Sequence, residues 1–310
     1  MEITVIIPTY HRPQDLARCL GALAQQSRQP NQVIVVVRDT DTQTWNFLES
    51  FNPGSLSLQT TTVRTPGVIA AMNTGLDAAT GDIIAFTDDD AEPRTDWLER
   101  IENCFLTDNC IGAVGGRDWV YENNQLLDGA KEVVGKLQWC GRVIGNHHLG
   151  VGLPREVDVL KGVNVSYRRS AIGSSLRFDE RMLGTGAQVH FELAFCLALK
   201  RAGWKLIYDP EIAVNHYPAV RFDEDQRYQF NEIAFINAVH NETLGLLEHL
   251  NALRRMVFIL WAILIGTREA LGFVQWLRLL PSQGTLASKK WLASIRGRFM
   301  GLRTWQQSAP

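Results

Sequence analysis

Three acids stand together at Asp88, Asp89 and Asp90, directly after the mostly apolar run Ile83-Ile84-Ala85-Phe86-Thr87. A run of that kind reads as a buried strand, and the acids then fall at its carboxyl end, where open α/β sheets hold their ligands. Carboxylates this close repel one another unless a positive charge sits among them. A hard divalent cation bound through oxygen answers that need and would bring a phosphate-bearing substrate with it. The triplet alone is equally compatible with a solvated acidic turn.

The surrounding elements separate the two readings. Residues 3–7 and 32–37 are continuous apolar strands, the second reading Gln-Val-Ile-Val-Val-Val. Such strands are buried on both faces, as in parallel sheets. Helical spacing runs over 15–26 through Leu16, Cys19, Leu20 and Leu23. A weaker strand over 56–63, a helix over 67–79 and a strand over 82–86 follow. This alternation predicts an α/β fold with right-handed crossovers. The loops Thr9–Arg12, Arg38–Asp41 and Asp88–Asp90 would then share one sheet edge and form a site. Further on, a helix is expected over 97–105 and a short strand over 111–114. Residues 117–160, rich in Gly and holding His147, His148 and Trp139, read as a loop or lid over the site. Regular structure resumes over 157–167, a helix covers 187–202 with Gly203 as its cap, and short strands fall at 206–208 and 212–214.

At 310 residues the chain can hold one large α/β domain and an appendage. Residues 251–310 carry nine Lys or Arg and one acid, Glu269, a net +8 against −2 for the whole chain, which leaves −10 for residues 1–250. An acidic body with a basic tail implies two different tasks. The five cysteines are scattered without metal-ligand spacing, which fits a reduced, cytosolic compartment. The chain opens on strand-like residues with no basic leader, so no signal peptide is expected.

Several segments, in their order, carry a resemblance. They are Val5-Ile6-Ile7-Pro8-Thr9-Tyr10-His11-Arg12-Pro13, Pro66-Gly67-Val68-Ile69-Ala70-Ala71-Met72-Asn73-Thr74-Gly75, the acids at 88–90, and Lys161-Gly162-Val163-Asn164-Val165-Ser166-Tyr167-Arg168. Phe178-Asp179-Glu180-Arg181 and Arg201-Ala202-Gly203-Trp204, running to Asn215-His216, complete the set. Over residues 1–220 the chain resembles the family 2 glycosyltransferases of GT-A fold, with residues 221–310 as a helical, basic, Trp-rich amphipathic extension.

The resemblance implies an inverting transfer of a sugar from a nucleotide-diphosphate donor, UDP-sugars first, to a hydroxyl on a saccharide or lipid-linked acceptor. It implies that Pro8, Thr9, Tyr10, Arg12 and Asp39 line the nucleoside pocket, with Arg38 replacing the first of two usual acids. It implies donor contacts from Asn73, Asp88 and Asp89, with Met72 where the family often has Arg. Asp88, Asp90 and His216 would hold Mn2+ or Mg2+ against the diphosphate, where charge builds as the glycosidic bond breaks. The family's Glu-Asp pair maps onto Phe191-Glu192, so Glu192 is the candidate base, with His190 as the alternative. Gln188 and Asn164 would meet the acceptor, while Asp179 and Glu180 shape a loop.

The tail adds a second expectation. The apolar stretch 256–266 is too short to span a bilayer, and extension to 280 crosses Arg268 and Glu269. Four of the nine tryptophans (Trp261, Trp276, Trp291 and Trp305) lie here among Lys and Arg. This is the composition of a segment lying on an anionic leaflet; a helical hairpin packed on the body or on a second subunit is the plainer reading. The enzyme is thus expected in the cytoplasm, peripheral on the inner face of a membrane. No base-stacking module accompanies the positive charge, so nucleic acid is not an expected partner. No Gln-x-x-Arg-Trp motif occurs, so processive polymer synthesis is not expected. Two rivals stand beside the transferase reading: a nucleotidyltransferase, which lacks support from any Gly-rich, Lys-bearing phosphate loop, and a non-catalytic nucleotide-sugar-binding scaffold.

Overall fold

The computed structural model describes residues 1–227 and 229–308. In chain order the elements are β1 (Ile3–Thr9), α1 (Pro13–Ala24), β2 (Gln32–Arg38), α2 (Thr42–Ser50), β3 (Leu58–Val63), α3 (Val68–Ala78), β4 (Ile83–Thr87) and β5 (Ala91–Pro93). Then come α4 (Trp97–Thr107), β6 (Ile111–Glu122), β7 (Gln125–Leu126), β8 (Lys136–Leu137), β9 (Val143–Ile144), β10 (Arg155–Glu156), β11 (Asn164–Arg168) and α5 (Arg169–Ile172). The chain continues through α6 (Phe191–Arg201), β12 (Lys205–His216), α7 (Glu232–His249), α8 (Ala252–Leu264), α9 (Phe273–Gln283) and α10 (Thr285–Ser308).

The central sheet runs β10-β12-β6-β11-β4-β1-β2-β3. Neighbours β3, β2, β1 and β4 are all parallel, β12 is parallel to β6, and β11 lies antiparallel between β4 and β6. Alternate residues of the same strands face opposite layers. Ile6, Ile34, Val36, Ile84 and Phe86 join one buried cluster, and Val5, Ile7, Val33, Val35 and Ala85 join the other. On α1 the stripe Leu16, Cys19, Leu20 and Leu23 is buried, and Pro13 opens the helix where its missing N–H costs nothing. Leu244, Leu246 and Leu247 of α7 and Phe258 of α8 share the core cluster that contains Ile6 and Phe86, so these helices pack on the sheet's own core.

Four expectations change. The strand read at 111–114 runs on to Glu122, because Gly115 and Gly116 let β11 and β12 approach closely. The two strands at 206–208 and 212–214 are one strand, β12, with an irregularity between Asp209 and Val214. The helix read over 187–202 begins only at Phe191: Gln188 and His190 adopt φ of +40° and +74°, which a helix does not accept. Residues 117–160 are not a lid. They extend β6, form the β8–β9 hairpin and pack along the β12 edge, and none of them lines the cleft.

Asn164 shows how tightly the sheet edge is built. Its side chain accepts from Trp97 Nε1 at 2.9 Å and donates to Ile212 O at 2.8 Å, all within the core. Asn164→Ala strands both partners and is expected to lower stability by about 2 kcal/mol or more, read as an earlier urea midpoint at unchanged slope.

Candidate active site

Three loops meet at the carboxyl ends of β1, β2 and β4, and hydrogen bonds tie them together. Buried Asp41 caps α2 by accepting from Thr44 N and reaches across to accept from His11 N at 2.6 Å. Arg12 Nη1 lies 3.1 Å from Asp89 Oδ1 and 3.2 Å from Asp90 Oδ2. The resulting cleft has a volume of about 380 Å³, within the range that takes a nucleotide-sized ligand. Pro8, Thr9, Tyr10, Arg12, Asp88, Asp89, Asp90, Glu192 and His216 all line it.

The end of β12 brings His216 to the acids. Its Nε2 lies 3.4 Å from Asp90 Oδ1 and its Nδ1 3.5 Å from Asp118 Oδ2. Asp118, on β6 and fully buried, also pairs with Lys161. One ligand atom each from Asp88, Asp90 and His216 can be chosen so that all lie within 4.8 Å of one another. Asp90 Oδ1 and both ring nitrogens of His216 are closed off from solvent and, among the described residues, lack a well-aligned hydrogen-bond partner. Buried polar atoms left in this state ask for a ligand. Two carboxylates and an imidazole backed by a third carboxylate, Asp118, are donors that could hold a divalent metal.

The electrostatics sort the three acids. Burial raises Asp89 to about 8 against the pull of Arg12. Burial and the neighbouring Asp90 charge raise Asp88. Burial would raise Asp90 too, but its contacts with His216, Arg12 and Ala219 N outweigh that and hold it ionised. Burial alone would lower His216; the close carboxylates of Asp118 and Asp90, at 3.5 and 3.4 Å, take it up to about 9. Behind His216, Lys161 and His216 hold Asp118 at about 2 against its burial.

Glu192 stands in the first turn of α6 and faces the same cleft. Its Oε2 is shielded from solvent and has no donor among the described residues, and burial raises its carboxyl above the ordinary range. The preceding Phe191 packs against Gly162 and lies edge-on to Phe178 at 5.6 Å. The residue that replaces the first acid thus anchors the helix start.

Five expected site residues lie outside the cleft lining. Asp39 is exposed; Arg38 lines the cleft there instead, its guanidinium 4.7 Å from the Tyr10 ring centroid. Asn73 is buried and holds the backbone of Phe178 through both its amide atoms, at 3.0 and 2.9 Å. Asn164 is consumed by Trp97 and Ile212 as described above. Gln188 clamps the start of α3 to the loop before α6, accepting from Ile69 N and donating to Met182 O. His190 sets the left-handed turn into α6. The sequence reading missed Asp118, Arg221, Phe222 and Arg227. An acid inside an apolar strand next to two glycines was a usable signal for Asp118. Nothing in the polar stretch 217–230 marked the other three.

A mostly parallel sheet with an acidic cluster and a nucleotide-sized cleft at its strand ends is the GT-A glycosyltransferase fold. The chain belongs to glycosyl transferase family 2, whose family model matches residues 4–174. It is 23% identical over 225 residues to a glucosyl-dolichyl phosphate glucuronosyltransferase of Haloferax volcanii, covering 70% of this chain and 69% of that one. Its fold is similar to residues 1–349 of S. aureus TarS in complex with UDP-GlcNAc, with a TM-score of 0.58, 15% identity and coverage of 99% and 92%. It is also similar to the mannosyltransferase PcManGT of Pyrobaculum calidifontis with GDP-Man and Mn2+, with a TM-score of 0.56, 15% identity and coverage of 99% and 88%. The protein is a glycosyltransferase.

Proposed function

We propose that this glycosyltransferase moves a sugar from a nucleotide-diphosphate donor, with UDP-sugars favoured, to an acceptor hydroxyl with inversion at the anomeric carbon. The observation that carries this reading is the placement of the Asp88–Asp90–His216 group and Glu192 in one cleft. The first set would hold Mn2+ or Mg2+, which supplies positive charge where the diphosphate leaves. Tyr10 and Arg38 form a cation–π wall suited to a nucleobase. Glu192 takes the acceptor proton: it lines the cleft, and burial raises its carboxyl, which makes it a stronger base than an exposed glutamate. The carboxylate expected to touch nucleoside, Asp39, is given up in favour of Arg38. The scaffold reading loses ground with the family assignment, and release of pyrophosphate would be needed to revive the nucleotidyltransferase. Proton NMR of the first product tests the reading: it predicts an anomeric configuration opposite to the donor's, and retention would overturn it.

A saccharide or lipid-linked acceptor at an anionic membrane is the second part of the proposal, and the dolichyl-phosphate-linked substrate named for the Haloferax volcanii relative favours a lipid link. No helix among the described residues is long and apolar enough to cross a membrane. Surface binding has better support. Leu253, Met256, Leu260, Ile263 and Leu264 of α8 are exposed, as are Phe273, Val274 and Leu277 of α9, and no residue of α9 is buried. Arg254, Arg268, Arg278, Lys289 and Lys290 accompany them, which is the pairing that lies on an anionic leaflet. This reading keeps the enzyme peripheral on the cytoplasmic face. Sedimentation with vesicles is expected to show binding to anionic but not zwitterionic lipid. Binding should weaken strongly at about 1 M salt, where the Debye length is ~3 Å, and should be lost in Leu260→Glu/Leu277→Glu. Equal binding to both lipids, or none, would remove the membrane from the account.

A further inference from the structure

Asp90 is attended by more cations than one carboxylate needs. Its Oδ2 lies 3.2 Å from Arg12 Nη1 and 3.6 Å from Arg227 Nη2, and it accepts from Ala219 N at 2.9 Å. The two arginines differ in how they are held. Arg12 belongs to the loop between β1 and α1, fixed at the sheet edge. Arg227 belongs to the segment 217–227, which leaves β12 and bridges the two walls of the cleft. On one wall the Phe222 ring packs edge-on to His11 at 5.6 Å and Tyr10 at 6.5 Å. On the other, Asp223 accepts from Ala187 N at 3.0 Å and Glu224 accepts from Thr185 N at 2.9 Å. Arg221, Phe222, Asp223 and Arg227 of this segment all line the cleft.

The Arg227 guanidinium is poorly satisfied where it sits. Its approach to Asp90 exceeds hydrogen-bond length, and among the described residues its buried Nε has no acceptor. A planar fork with unused donors, lining a nucleotide-sized cleft, matches the paired oxygens of a phosphate better than a carboxylate already engaged by Arg12. The same Asp90 is also a candidate ligand of the metal. Arg227 and a cation therefore compete for one carboxylate.

We propose that Arg227 is the counter-cation of Asp90 in the empty cleft and passes to the donor's diphosphate when the donor enters. Donor and metal then reinforce each other through this one side chain. A metal arriving alone must displace or tolerate a positive neighbour. A diphosphate offers that neighbour stronger acceptors and frees Asp90 for the metal. By linkage, each ligand tightens the other by the same factor. The inference rests on the reading of this cleft as a diphosphate–metal site, and it assigns that site a binding order: metal alone is weak, and metal with nucleotide is strong.

Calorimetry on the full chain tests it, using Mn2+ alone and then UDP, GDP, CDP and dTDP with and without Mn2+. Wild type, Arg227→Ala and Arg227→Lys are compared, with melting curves as a check on folding. Two effects of opposite sign are expected in Arg227→Ala. Mn2+ alone binds several-fold tighter, while the preferred nucleotide with Mn2+ binds about tenfold weaker. Arg227→Lys keeps the charge and loses the fork, so it should retain weak binding of Mn2+ alone and lose part of the nucleotide affinity. If Mn2+ alone binds Arg227→Ala no tighter than wild type, the proposal is overturned even though wild type binds nucleotide and metal normally. If wild type takes none of the four nucleotides with Mn2+, the diphosphate reading itself falls and this inference with it.

Discussion

Glu192→Gln is expected to slow sugar transfer by about 10³-fold while leaving donor binding within about twofold of wild type. General-base assistance is worth roughly 10²–10⁴ in rate, and an amide of the same shape cannot take a proton. The substitution preserves volume at the start of α6, where Phe191 rather than Glu192 anchors the turn against Gly162. The pH dependence adds a second readout. The base must be ionised to act, and burial raises the Glu192 carboxyl above its usual value. Wild-type activity should therefore fall as pH drops through that raised value, at a higher pH than an exposed glutamate would show. The residual activity of the variant should lack this limb. Retention of full activity in Glu192→Gln would move the base role elsewhere, with His190 next in sequence but outside the cleft lining.

Asp90→Ala should have the other large effect: a loss of more than about a hundredfold in metal-supported turnover, not recovered by raising Mn2+. Side chains that only orient metal ligands cost roughly 10–100-fold when removed, so a ligand itself should cost more. The consequences spread locally. Asp90 is the anion that His216, Arg12 and Arg227 share, and Ala219 N donates to it as well. Removing it leaves three positive groups facing each other in a buried place. Activity against Mn2+ concentration separates this from a folding defect, because a melting curve near wild type with flat, low activity identifies loss of the site alone.

Much of this was legible because the signals were local. The apolar runs of β1, β2 and β4 and the acids after β4 needed only strand-length patterns and the rule that ligands collect at carboxyl strand ends. His216 came from motif order, and the structure sets its ring beside Asp90. Other residues could not be read because their role depends on what folds over them. Asn73 and Asn164 look alike in sequence as polar residues inside motifs, yet both spend their amides on buried backbone or Trp97. Gln188 and His190 were lost to an overextended helix, since positive φ values leave no periodicity signal. The segment 217–227 was silent because its partners, at Tyr10, Thr185 and Ala187, are distant in sequence. The long stretch 117–160 was misplaced because β6 carries Arg117 and Asp118 inside a strand, which breaks the apolar pattern where the strand actually continues.

The central claim is that this cleft binds a nucleoside diphosphate through a metal held at the strand ends. Equilibrium titration of the purified protein with UDP, GDP, CDP and dTDP, each with Mn2+ and again with a chelator, tests it most directly. The account predicts that one nucleotide binds well above the others, and that its affinity collapses when the metal is removed. Binding that is indifferent to the chelator, or no binding of any nucleotide to a folded protein, would contradict it.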